Sequence, residues 1–85
     1  MKLMLFTGNW CVPCQQLKPI VKEVAEEKEI ELKVVDVETD IETANAYMVR
    51  GVPTLILLGD DGDEVNRASG AMSREQIEEF LSEIY

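Results

Sequence analysis

Short apolar runs alternate along this chain with stretches in which apolar residues recur every three or four positions. "KLMLFT" (Lys2–Thr7) is a compact apolar run followed by Gly8-Asn9, which predicts a buried strand ending in a turn. Between Val12 and Lys28, Leu17, Ile20, Val21 and Val24 fall at helical spacing, opposite Lys18, Lys22, Glu23, Glu26 and Glu27. Pro13 suits the first turn of that helix, where its missing N–H costs no intrahelical bond. Pro19 lies deeper and predicts a kink. "IELKVVDV" (30–37) is β-branched and becomes apolar on both faces, which predicts an interior parallel strand.

Thr39 followed by Glu42 has capping-box spacing and predicts a short helix, with Gly51 closing it after Arg50. "PTLILL" (53–58) reads as another buried strand. Gly59-Asp60-Asp61-Gly62 then turns the chain into "DEVNRA" (63–68), polar apart from Val65 and so expected at a sheet edge. Ser73 and Gln76 form a second capping-box pair, with Met72 and Ile77 at hydrophobic-staple spacing. Ile77, Phe80, Leu81 and Ile84 line one face of the last helix. The order β-α-β-α-β-β-α predicts an α/β fold with a four-stranded mixed sheet and helices on both faces. Its two β-α-β stretches call for parallel strands, and its terminal hairpin adds antiparallel ones.

Composition narrows what such a fold does. Eighty-five residues, with no repeat or linker, predict a single domain over 1–85. A hydrophobic content of 46% with 29% charged residues is globular rather than disordered. The formal charge of −9, from 8 basic and 17 acidic residues, repels phosphate backbones and argues against nucleic-acid binding. No segment approaches the roughly 18 apolar residues of a membrane span. The apolar run Leu3–Phe6 is also shorter than the about 7 residues of a signal-peptide core. A cytoplasmic protein is expected, in a compartment that keeps ordinary thiols reduced.

Both cysteines lie in "NWCVPC" (Asn9–Cys14). A structural disulfide there would close a tiny loop and stabilise little. A structural zinc site needs four ligands, whereas this chain offers two cysteines and no histidine. A soft-metal module holding Cu(I) between two thiolates is a further reading, although such domains usually run β-α-β-β-α-β. A redox dithiol fits the position best. Cys11 falls at a helix N-terminus, where unpaired N–H groups and the helix dipole favour a thiolate. Cys14, three residues on, shares its helical face and is expected to be more buried. Cys11 would attack a disulfide, and Cys14 would resolve the mixed disulfide.

"WCVPC", Pro19, "RGVPT" (50–54) and "GAMS" (70–73) together resemble the thioredoxin family, over essentially the whole chain from Lys2 onward. The resemblance implies that Trp10 packs beside the active site and that Pro53 is cis, facing the sulfurs. It also implies an apolar docking groove of Trp10, Val12, Pro13, Gly51, Val52, Gly70 and Ala71 beside Pro53. Implied partners are disulfide-containing proteins and thioredoxin reductase as electron donor. No cofactor or metal is expected, and the chain is expected to act as a monomer.

Three departures stand out. Against the family pattern the chain is expected to lack an N-terminal strand and helix, which gives it the size of a glutaredoxin. Gln15 follows the second cysteine where the family often has lysine or arginine. Leu5 and Val34 match the positions of a buried aspartate and its lysine partner. Both are hydrophobic here, which is chemically consistent because either charge alone would be buried unpaired. The expected activity is thiol–disulfide exchange that reduces protein disulfides. The alternative is a glutathione-fed glutaredoxin-like enzyme, with Lys18 and Arg50 as possible carboxylate contacts.

Overall fold

A computed structural model describes residues 1–82, so Ile84 lies outside the described residues. The elements are β1 (Lys2–Thr7), α1 (Val12–Glu27), β2 (Glu31–Asp36), α2 (Ile41–Ala46), β3 (Thr54–Leu58), β4 (Glu64–Ser69) and α3 (Arg74–Ser82). They form one four-stranded sheet in the order β2-β1-β3-β4. β1 pairs in parallel with β2 and antiparallel with β3, and β3 pairs antiparallel with β4.

The two central strands are those whose apolar runs are unbroken. Every residue of β3 is buried, as are the last five of β1. Pleating divides them between two cores. Leu3, Leu5, Leu55 and Leu57 pack beneath α1 and α3, against Leu17, Val21, Val24, Ile77 and Leu81. Met4, Phe6, Ile56 and Leu58 face the other way, towards Val35 of β2 and Ala44 of α2, where Phe6 and Tyr47 place ring centroids 5.9 Å apart. Each fully buried leucine contributes about 1.5–3 kcal/mol from transfer alone. Helices cover both faces.

Two expectations about strands are corrected. The 30–37 segment is an edge strand, not an interior one, because Glu31 and Lys33 alternate with its apolar residues and leave it half buried. Only the first β-α-β stretch is parallel; the second delivers β3 antiparallel to β1. The polar 63–68 segment does supply the other edge as β4.

Helix ends differ in instructive ways. The second helix is capped by Asp40, whose carboxylate accepts from the Thr43 N–H at 3.2 Å, rather than by Thr39. It ends at Ala46, before Arg50 and Gly51, because Met48 itself turns left-handed (φ 54°). The Met48 and Val49 N–H groups then close on the Asn45 and Ala44 carbonyls. The first helix ends the same way, with Glu29 at φ 57° and bonds from Glu29 to Glu26 and from Ile30 to Ala25. Pro19 lies inside that helix, which stays one element from Val12 to Glu27. The third helix opens on the expected reciprocal cap, with Ser73 N–H donating to Gln76 at 2.9 Å and Gln76 N–H to Ser73 at 3.1 Å. Met72 packs on the core cluster that holds Ile77. Arg74 ties α3 to Glu23 and Glu27 of α1.

Candidate active site

The carboxyl end of β1 runs into a four-residue turn, 8–11, and then directly into α1. The Trp10 indole lies close over Gly8, where a Cβ would stand 3.2 Å from it. The Gly8 carbonyl accepts from Cys11 N–H at 3.2 Å and from the Gln15 side-chain amide at 3.1 Å. Gln15 therefore ties the turn down with a neutral group, where the family often carries a cation.

Cys11 is the N-cap of α1, and its Sγ accepts from the Cys14 N–H at 3.2 Å. The two cysteines are joined as a disulfide, with Cα atoms 5.2 Å apart. Their exposures differ: Cys11 keeps 6% and Cys14 none. The helix stripe of Cys14, Leu17, Val21 and Val24 is buried, which explains why the second cysteine is sealed. Trp10 and Val12 flank the pair and are 67% and 66% exposed. Pro13, in the first turn, is exposed as well.

The 51–53 segment crosses in front of the sulfurs. The Val52–Pro53 bond is cis, and the Val52 carbonyl oxygen lies 3.9 Å from Cys11 Sγ. Pro53 is buried, and its carbonyl accepts from Gly70 N–H at 2.9 Å. Gly70 has φ 94°, where a side chain would be strained, so the chain turns there and leaves Gly70 and Ala71 exposed beside the cis proline.

A cleft of about 120 Å³ is lined by Trp10, Val37, Val49, Arg50, Gly51 and Val52. It unites three residues that the family resemblance implied. Val12, Pro13, Gly70 and Ala71 lie outside its lining. Val37 and Val49 were not singled out from sequence; both follow the ends of elements, and Val37 leaves β2 at the carboxyl edge of the sheet, where α/β folds gather their ligands. Among the described residues no three His, Cys, Asp or Glu side chains converge to hold a metal ion.

A disulfide at a helix N-terminus, on the carboxyl end of a central strand and facing a cis proline, defines a protein of thiol–disulfide exchange. The sequence profile of the family described as Thioredoxin matches residues 1–83. Thioredoxin from Mycobacterium tuberculosis is 38% identical over 84 residues, covering 96% of this chain and 72% of that protein. Thioredoxin from Pseudomonas aeruginosa is 36% identical over 81 residues, covering 93% and 74%. The solved structure of a mutant thioredoxin from Halobacterium salinarum superposes with a TM-score of 0.88 at 36% identity, over 95% of this chain and 71% of that one. The chain belongs to the thioredoxin family, and it is a dithiol thiol–disulfide oxidoreductase.

Proposed function

We propose that the protein reduces disulfides in other proteins, with Cys11 as nucleophile and Cys14 as resolving thiol. The observation that carries this reading is the contrast between a surface-reaching Cys11 at the helix N-cap and a sealed Cys14 behind it. The N-cap position supplies the Cys14 N–H and the positive end of the α1 dipole to a Cys11 thiolate. The thiolate attacks one substrate sulfur, and the other substrate sulfur leaves as a thiolate. Cys14 then attacks Cys11 and frees the second substrate sulfur.

Substrate docks in the cleft beside Trp10, with Val12, Pro13, Gly70 and Ala71 forming its outer rim. The Val52 backbone pairs with an extended substrate segment as an added strand does. Electrons come from a thioredoxin reductase. The protein works in the cytoplasm as a single-domain monomer over residues 1–85. Among the described residues no helix is long and apolar enough to cross a membrane.

NADPH oxidation with a protein disulfide, run once with thioredoxin reductase and once with glutathione plus glutathione reductase, tests the assignment. Turnover with the first system alone is expected. Turnover with the second alone would return the protein to the glutaredoxin-like reading, with Arg50 of the cleft as its carboxylate contact.

A further inference from the structure

Among the described residues two hydroxyl side chains are buried, Thr7 and Thr54, each 4% exposed. Thr54 is satisfied, donating to the Gly51 carbonyl at 2.7 Å. Thr7 is not. Its Oγ1 is buried with no hydrogen-bond partner, and it stands alone in that respect among the described residues. An unmet buried hydroxyl costs about 1–3 kcal/mol, so its retention needs an explanation.

Its location supplies one. Thr7 is the last residue of β1, two residues beyond Leu5 and four beyond Leu3. Strand alternation therefore turns it to the same face as those two, the face covered by α1. After the 8–11 turn, α1 runs back along β1, so the buried stripe of the helix meets the strand in reverse order. Leu17, Val21 and Val24 share one core cluster with Leu3 and Leu5. Cys14, in the first turn, is the first buried residue of the helix after the turn that follows Thr7. The unpartnered hydroxyl and the sealed sulfur thus share one end of the same buried layer. In that layer Leu5 and Val34 offer no polar group.

We propose that Thr7 Oγ1 is the hydrogen-bond donor to the Cys14 thiolate, in the mixed disulfide as it resolves and in the reduced protein once Cys14 ionises. In the oxidised structure the hydroxyl makes no hydrogen bond, to sulfur or to oxygen; opening the disulfide frees the Cys14 side chain to turn towards it, and a thiolate is a strong acceptor. During resolution the Cys14 thiol gives its proton to water, and Thr7 holds the resulting thiolate by O–H···S⁻. The thiolate's electron pair forms the bond to Cys11 Sγ, the bond from Cys11 to the substrate sulfur breaks, and that sulfur leaves as a thiolate that takes a proton from water. Thr7 itself gains and loses no proton, so it is no substitute for a carboxylate base. It makes the Cys14 thiolate easier to reach. The role rests on Cys14 being the resolving thiol.

The test needs neither substrate nor reductase, so it stands apart from the test of the reductase reading. Thr7→Val keeps the shape and removes the hydroxyl; Thr7→Ser keeps the hydroxyl. The equilibrium between dithiol and disulfide, titrated against dithiothreitol above the Cys14 thiolate midpoint, should move about fivefold towards the disulfide in Thr7→Val, the fold-change equivalent to one hydrogen bond. In a Cys11→Ala background, Thr7→Val should also raise the Cys14 thiolate midpoint, read from thiolate absorbance against pH. Thr7→Ser should match the unaltered protein in both measurements. Because the oxidised form loses only an unmet group, Thr7→Val should leave the unfolding midpoint of the disulfide form unchanged or higher. An unchanged equilibrium in Thr7→Val, or an equal shift in Thr7→Ser, overturns the proposal.

Discussion

Leu5 and Val34 are register partners across the parallel β1–β2 pair. Leu5 is completely buried, on the face covered by α1. Two aliphatic side chains fill the place where the family keeps a buried carboxylate and its lysine partner, so this layer is held by packing alone. Leu5→Asp by itself should cost about 3–5 kcal/mol, because the charge enters the layer unpaired. Adding Val34→Lys should return part of that loss. Urea unfolding of the two variants checks both signs, and an equal loss in single and double variants would show that the sites do not couple.

Without a carboxylate in that layer, resolution should depend on hydroxide. Cys14→Ser should accumulate stable mixed disulfides with protein substrates, and Cys11→Ser should not. Stopped-flow release of substrate from a mixed disulfide on Cys11 should accelerate from pH 6 upward until Cys14 ionises. Burial pushes that midpoint up from a free thiol's, and a hydrogen bond to the thiolate pulls it partly back. A rate already flat below about pH 7 would reveal another base.

Glu29 and Met48 each take the left-handed position that closes a helix, at φ 57° and 54°. Glycine fills that position without a Cβ penalty. Glu29 is exposed and its side chain enters none of the described hydrogen bonds or ion pairs. Glu29→Gly should therefore stabilise the fold by about 0.5–1 kcal/mol after the entropic cost of glycine, visible as a higher denaturant midpoint with unchanged slope.

On β4, Arg67 donates to both carboxylate oxygens of Glu64, at 2.9 and 2.7 Å, and to the Tyr47 carbonyl at 2.6 Å, pinning the end of α2. That hydrogen bonding holds the Glu64 carboxyl below its ordinary range, against a smaller opposing effect of burial. A depressed carboxyl stabilises the fold above its unfolded value, about 4.3, and the benefit is lost as pH falls through the folded value. Glu64→Gln should thus cost up to about 0.5 kcal/mol near pH 6, given the half-exposed pair, and less near pH 3. Thermal unfolding at the two pH values reads the difference.

Much of the fold was legible because local chemistry dictated it. "LMLF" and "TLILL" lack any charge, and they became the two strands buried on both faces. Glu31 and Lys33 carried the opposite message for β2, since a strand with charges at alternate positions leaves one face wet. Strand order and direction were less legible. Nothing within 37–53 encodes that β3 returns antiparallel to β1, which depends on where distant segments pack. The helix ends slipped because Asp40 outcompetes Thr39 as a cap and because Met48 adopts a backbone conformation usually reserved for glycine. The sulfurs were fully legible from "WCVPC". Val37 and Val49 were not, because ordinary valines become cleft walls only when two loops converge. Thr7 was equally silent: its hydroxyl gains meaning only once its surroundings are seen to offer it nothing.

The indole seated on Gly8 has a practical consequence. Trp10 is the chain's single tryptophan, it precedes Cys11 directly, and two-thirds of it faces solvent. Disulfides accept electrons from excited indoles, whereas thiols are far weaker quenchers. The protein therefore carries its own optical gauge at its working end. Emission should brighten as the disulfide opens and shift to shorter wavelength when a partner covers the ring, so redox state and docking can both be followed in real time on the unlabelled chain.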